Sequence, residues 1–318
     1  MTPHGLTGTA VTGENLAQGS KSAATVCSLS LSEGVSKYYD GSQYEIDYGS
    51  VRLGCLQFQD DALRVSTSVE GAQDGANRFL SLMNSKMLEI NMSKSIYLLA
   101  GKKRNIERIR KEIEKNPIKY NGEPLKEKEC EKWLGDMING KGNKQSTLSS
   151  LNERKNRIYN AINETIAILE DSRINRLGSM KCAINILELA IIPSLLNNSS
   201  VWDIRDKTIQ TELDKFQSYF FKAILQVPNS CPRPAFAYEA NMLTMKYRVY
   251  TRLLNFLKHV HSHSDSNLSR LVLKEQLKND WPGLSQVGMK IMDELGITGL
   301  FEQKMRSLFK VKFNPIKR

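Results

Sequence analysis

Asp60 and Asp61 are adjacent carboxylates set between two apolar runs, Val51 to Phe58 and Ala62 to Val65. A structural hairpin turns most easily on Asn-Gly or Asp-Gly, and neighbouring negative charges repel, so this pair is an unusual choice for a turn. A divalent cation would relieve the repulsion, and hard carboxylate oxygens suit Mg²⁺ shared with substrate phosphates. A solvated polar turn is the competing reading, and the pair alone does not separate the two. The other candidate chemistry is thinner. His259, His261 and His263 alternate near Asp265, a spacing that spreads rings around a helix rather than gathering them on a metal. No Cys-x-x-Cys is present, which excludes a zinc knuckle. Gly71-x-x-x-Gly75 lacks the Lys-Ser/Thr of a phosphate loop and reads as a helix entry. Lys102, Lys103, Arg104, Arg108, Arg110 and Lys111 could follow a nucleic-acid backbone, although Glu107, Glu112 and Glu114 offer ordinary helix pairs.

The elements that must position Asp60 and Asp61 are legible around them. Val51 to Phe58 and Ala62 to Val65 predict two short strands hinged on Gln59-Asp60-Asp61. Ala72, Ala76, Phe79, Leu80, Met83 and Met87 recur at three- and four-residue steps, which predicts an amphipathic helix from Gly71 to about Met87, packed on the hairpin. Leu88 to Leu99 reads as strand, turn and strand. Asn121-Gly122 carries the dipeptide of a type I′ turn, and a further hairpin should end near Trp133-Leu134-Gly135. Gly140-Lys141-Gly142-Asn143 reads as a hinge. Beyond it, Leu148, Leu151, Ile158, Ile162, Ile166 and Leu169 mark one long helix, and Ile184 to Leu196 another that Pro193 bends or ends. Further helices are expected over 208–226, 243–259, 267–278 and 286–309.

The order of short motifs resembles that of reverse transcriptases. Gln18-Gly19-Ser20, followed by Leu29-Ser30-Leu31, is similar to their Gln-Gly-Ser motif, and Phe58-Gln59-Asp60-Asp61 to their catalytic Phe/Tyr-x-Asp-Asp hairpin. Asn91-Met92-Ser93-Lys94-Ser95 resembles the Asn-x-x-Lys-Ser/Thr motif of the palm, and Trp133-Leu134-Gly135 the Leu-Gly motif of the primer grip. The spacing and the long helical tail most resemble the polymerases of non-LTR (LINE-type) retrotransposons, clearly over about residues 10 to 140 and by pattern only beyond. The resemblance implies an α+β chain: a partial polymerase palm of antiparallel strands and helices over 1–142, an all-helical thumb over 143–230 and a C-terminal helical extension over 231–318. It implies that Asp60 and Asp61 hold catalytic Mg²⁺, that Gln18, Gly19, Ser20, Phe58 and Lys94 line the nucleotide and template, and that Trp133, Leu134 and Gly135 seat the primer end. RNA template, DNA primer and deoxynucleoside triphosphates are the implied partners.

One departure bears on activity. The family's remaining catalytic aspartate lies on a strand upstream of the Gln-Gly motif, whereas no Asp precedes Gln18 and the first in the sequence is Asp40. In the family the fingers also lie upstream of that motif, so the resemblance implies a chain without them. The expectation is therefore an RNA-directed DNA polymerase in incomplete form, binding Mg²⁺ weakly and inactive alone; the alternative is a non-catalytic nucleic-acid-binding remnant.

Charge and composition agree with a polyanion partner. The 318 residues carry a net charge of +11, and 40% are hydrophobic, which excludes fibrous and disordered classes. Residues 1–60 hold three basic and six acidic side chains, leaving 42 basic and 28 acidic in the rest, so the excess sits in the body. The most apolar stretch, Ala183 to Leu196, is shorter than the ~20 residues of a membrane span, and no charged leader precedes an apolar run at the start. Five scattered cysteines fit reduced thiols. Together these predict an intracellular protein of nucleus or cytoplasm with no membrane partner.

Overall fold

The computed structural model describes residues 45–171, 176–225, 227–228, 230–232 and 243–297. Gln18, Gly19, Ser20 and Asp40 lie outside the described residues. The chain is α+β, with small antiparallel hairpins early and helices after them. It divides into two compact units: Met1–Asp47, Arg52–Ser95 and Arg108–Lys126 form one, and Tyr48–Val51, Ile96–Glu107 and Glu127–Arg318 the other.

In the first unit the predicted hairpin forms from β3 (Cys55–Phe58) and β4 (Asp61–Arg64). Gly54 interrupts the expected single strand, so Val51–Leu53 becomes β2 and pairs with β1, Ile46–Tyr48. Helix α1 covers Val69–Ser85; the hydroxyl of its N-cap Ser68 accepts from the Gly71 amide, satisfying one of the first-turn donors that a helix leaves open. Its buried face includes Val69, Ala76, Leu82 and Met83, with Phe79 and Ile90 packed beside the last two. The strand expected at Leu88 is absent because the amide of Leu88 donates to Met83 O at 2.9 Å and that of Met87 to Asn84 O at 3.1 Å. These bonds form a Schellman cap with Met87 left-handed at φ 53°, so the cap takes the amides a strand would need. Of the two strands expected over Leu88–Leu99 only β5, Ile96–Tyr97, forms, and it belongs to the second unit. Helix α2 spans Lys103–Lys115, with Lys103–Glu107 counted in the second unit and Arg108–Lys115 in the first. Asn121 and Gly122 both adopt positive φ between β6 (Lys119–Tyr120) and β7 (Glu123–Pro124), which is the predicted type I′ turn.

In the second unit, after the short β8 (Lys126–Glu127), β9 (Cys130–Trp133) pairs with β10 (Asp136–Asn139). Trp133 and Asp136 face each other across Leu134-Gly135, so these residues form the turn of the hairpin and not its end. Helix α3 (Asn143–Asp171) buries Leu151, Ile158 and Ile162, as the apolar seam predicts. Helix α4 (Arg176–Ile186) runs into a π turn over Leu187–Ile191 and then α5, Ile192–Leu195. Pro193 explains the widened turn: it has no amide for the carbonyl four residues back, and its ring would collide with that carbonyl in a regular helix. Helices α6 (Lys207–Leu225), α7 (Met245–Ser262), α8 (Leu268–Asn279) and α9 (Leu284–Glu294) follow among the described residues of the unit. Their core includes Ile209, Leu213, Phe220, Val249, Leu253 and Ile291. The last helix among the described residues ends at Glu294, where Ile297 N donates to Met292 O and Gly296 N to Asp293 O in a second Schellman cap, with Gly296 at φ 70°; the remainder of the helix expected over 286–309 lies outside the described residues.

Candidate functional site

Two-residue turn geometry presents the Asp60-Asp61 pair. Phe58 faces Asp61 across the ladder, so the turn itself is Gln59-Asp60, with Gln59 left-handed at φ 56°. The Gln57 side chain donates to Gln59 O at 2.9 Å, which holds a conformation that a residue with a Cβ adopts only with support. Both aspartates are exposed, and Phe58 beside them is 53% exposed. Among the described residues neither carboxylate takes a hydrogen bond or an ion pair, and no group of three His, Cys, Asp or Glu side chains converges on a common point. Two unengaged carboxylates fit a Mg²⁺ ion that keeps waters and shares substrate phosphates; they do not make an all-protein cage.

At the end of the β3–β4 ladder away from this turn, where Cys55 pairs with Arg64, lies a polar cluster that sequence reasoning missed. The Arg64 guanidinium lies against helix α1 at Gly75, where any Cβ would overlap it. Gly75 is therefore mid-helix and makes room for a cation, a function different from the expected helix entry. Burial pushes the Cys55 thiol up and the Tyr120 phenol up to about 12, and in both cases the Arg64 charge pulls partly the other way. The signal was the repeated small residue, Gly71 and Gly75, one turn apart on an apolar helix face. Gln73 on the same helix completes the β6 edge: its Oε1 accepts from Lys119 N at 2.7 Å and its Nε2 donates to Lys119 O at 2.9 Å.

Lys94 sits on an exposed turn organised by Asn91, whose Oδ1 accepts from the Ser93 hydroxyl at 2.7 Å and from Lys94 N at 3.3 Å. Such a side-chain turn fixes the backbone locally while leaving the ammonium in solvent. Phe58, Asp60, Asp61 and Lys94 belong to one unit, and Trp133, Leu134 and Gly135 to the other.

The Trp133-Leu134-Gly135 turn is held from outside its own hairpin. Leu134 and Gly135 have φ of 48° and 85°, and for leucine the left-handed region costs roughly 1–2 kcal/mol. Asn198 Nδ2 donates to Leu134 O at 3.2 Å, and Arg154 Nη2 donates to Gly135 O at 2.9 Å and to Asp136 Oδ1 at 2.5 Å. The same guanidinium donates through Nη1 to Leu195 O at 3.2 Å and Asn197 O at 2.9 Å, and it lies over the Trp202 ring. Arg154 is 2% exposed, so a buried cation joins the hairpin turn to the end of the π-containing helix. Its signal in the sequence was a gap: the seam Leu148, Leu151, Ile158, Ile162 lacks its apolar residue where Arg154 stands.

No family model, no curated protein and no solved structure matches the chain. Among the described residues no helix is long and apolar enough to cross a membrane.

Proposed function

We propose that the chain is an RNA-directed DNA polymerase of the non-LTR retrotransposon type. The observation that carries the reading is the exposed Asp60-Asp61 pair at a two-residue hairpin turn, followed directly by a helix packed on that hairpin through Arg64 and Gly75. In this reading Asp60 and Asp61 hold Mg²⁺ shared with the phosphates of a deoxynucleoside triphosphate, and Lys94 brings a mobile cation to the same anion. When bound, the ion supplies charge neutralisation at the phosphates and a lowered pKa for a primer hydroxyl. Phe58, exposed opposite Asp61, offers an apolar face to a sugar or base. Leu134, 39% exposed on its rigid turn, gives the primer end a fixed apolar seat. RNA template and DNA primer are the proposed partners of the basic body.

The test separates assembly from turnover. Fluorescence anisotropy of a labelled RNA/DNA primer–template would be measured with and without Mg²⁺ and a matching deoxynucleoside triphosphate, for the chain and for Asp60→Ala and Asp61→Ala. Tighter binding with Mg²⁺ and nucleotide in the parent chain, lost in both variants, is expected. No response to Mg²⁺ and nucleotide by a folded parent chain would overturn the polymerase reading. Primer extension from these 318 residues alone is expected to stay at the Asp60→Ala background, because among the described residues no third carboxylate joins Asp60 and Asp61.

A further inference from the structure

Helix α2 carries a second, separate feature. At 100° per residue, Arg104, Arg108, Lys111 and Lys115 fall within one narrow stripe, spaced i, i+4, i+7, i+11 along the Lys103–Lys115 helix. All four are exposed, and among the described residues no ion pair or side-chain hydrogen bond engages any of them. The acidic residues of the helix stand on its flanks: Glu107 and Glu114 to one side with Lys103, Glu112 to the other. Lys103 and Glu107 approach to 4.0 Å. Ile106, Ile109 and Ile113 occupy the opposite face, with Ile113 buried and the other two half-buried.

This row is unfavourable for the free helix. Three successive like-charge pairs at i,i+3 and i,i+4 each cost roughly 0.2–0.5 kcal/mol, and the first turn holds no acidic residue to answer the helix dipole. A merely solvated face would mix its charges, as the flanks of this helix do. The geometry points to the Arg104, Arg108, Lys111, Lys115 ridge as the surface that tracks the phosphate backbone of a nucleic-acid duplex. The ridge is about 16 Å long at 1.5 Å per residue, and the same length of duplex presents roughly ten phosphate charges at one per ~1.7 Å. An anionic membrane is the weaker occupant, since membrane-surface helices bury an apolar face in the lipid and the three isoleucines here face away from the ridge. The inference rests on the nucleic-acid part of the proposed function and not on its chemistry.

The experiment compares the full chain with a ridge variant, Arg104→Gln, Arg108→Gln, Lys111→Gln and Lys115→Gln together, and a charge-matched control, Lys207→Gln, Lys258→Gln, Lys278→Gln and Lys290→Gln. Glutamine keeps helix propensity close to that of the residues it replaces, and circular dichroism with a thermal melt verifies folding. Affinity for an RNA/DNA hybrid is measured between 50 and 200 mM salt. Removing four phosphate contacts should lower the slope of log affinity against log salt by about 3.6, so the parent chain and the control lose about two orders of magnitude more affinity over that range than the ridge variant. Equal slopes for the ridge variant and the parent chain would overturn the ridge while leaving nucleic-acid binding in place. Equal weakening in the ridge variant and the control would overturn it too, showing diffuse attraction. A folded parent chain with no hybrid affinity at low salt would remove both the ridge and the nucleic-acid reading. Anionic vesicle binding that depends on the ridge, with hybrid binding unchanged, would assign the surface to a membrane instead.

Discussion

Replacing Arg154 with Met keeps much of the side-chain volume and removes the cation. Four acceptors then lose their donor: the carbonyls of Gly135, Leu195 and Asn197, and Asp136 Oδ1. Removing one partner of a buried ion pair costs roughly 3–5 kcal/mol. Counted by acceptors, one buried carbonyl (Leu195) and two part-buried ones (Gly135, Asn197) without donors at about 1 kcal/mol each reach the lower end of that range. The Asp136 side chain is 19% exposed against 2% for Arg154, so water can reach the orphaned carboxylate and the lower half applies. A loss of about 3–4 kcal/mol is expected, which corresponds to a fall in melting temperature of about 10 °C for a unit of this size. Urea denaturation should show the loss as a lower midpoint at unchanged slope. Amide exchange in the Cys130–Asn139 hairpin should accelerate more than in helix α8, because the strained Leu134 turn loses its anchor. Arg154→Lys keeps the charge but not the forked geometry and should fall between the two. A loss below about 1 kcal/mol, or exchange unchanged in the hairpin, would refute the view that Arg154 joins the turn to the helix end.

Three further outcomes follow from contacts of the same kind. Gly140→Ala places a methyl on the carbonyl oxygen of Leu99, a backbone atom that cannot swing aside; a destabilisation of about 1–3 kcal/mol is expected in denaturant melts. Gly122→Ala meets no atom within 4 Å and pays only for φ of 84°, so about 1 kcal/mol is expected, clearly less than at Gly140. The Ser50 hydroxyl and the Asn279 amide hold the Glu275 carboxyl below the usual range, with burial opposing. A lowered folded-state pKa contributes stability that is present above the unfolded value of about 4.3 and lost as pH falls through the folded value. The stability difference between the parent chain and Glu275→Gln should therefore be full at pH 6 and shrink below about pH 4; a difference independent of pH would show that the carboxylate charge is not what Ser50 and Asn279 engage.

Local features were legible in the sequence because their causes are local. Periodic apolar residues named helices α1 and α3, the expected ranges 208–226, 243–259 and 267–278 fell on α6, α7 and α8, and Asn121-Gly122 named its turn because those two residues tolerate positive φ. The exposed Asp60-Asp61 turn was legible for the same reason, since a short polar break between apolar runs forces a hairpin tip into solvent. Helix ends were less legible: the caps at Met87 and Gly296 depend on amides reaching back to Met83 and Met292, and only Gly296 announces itself by residue type. Tertiary structure alone decided the roles of Arg64, Gly75, Arg154 and Gly140. A guanidinium in a helical seam reads as a misplaced charge until carbonyls from residues 135, 195 and 197 arrive around it. Gly75 likewise reads as a helix entry, and Gly140 as a hinge, until Arg64 or the Leu99 carbonyl occupies the space the missing Cβ leaves open. Those partners come from distant points in the chain, and only the close packing of the folded protein brings them into contact.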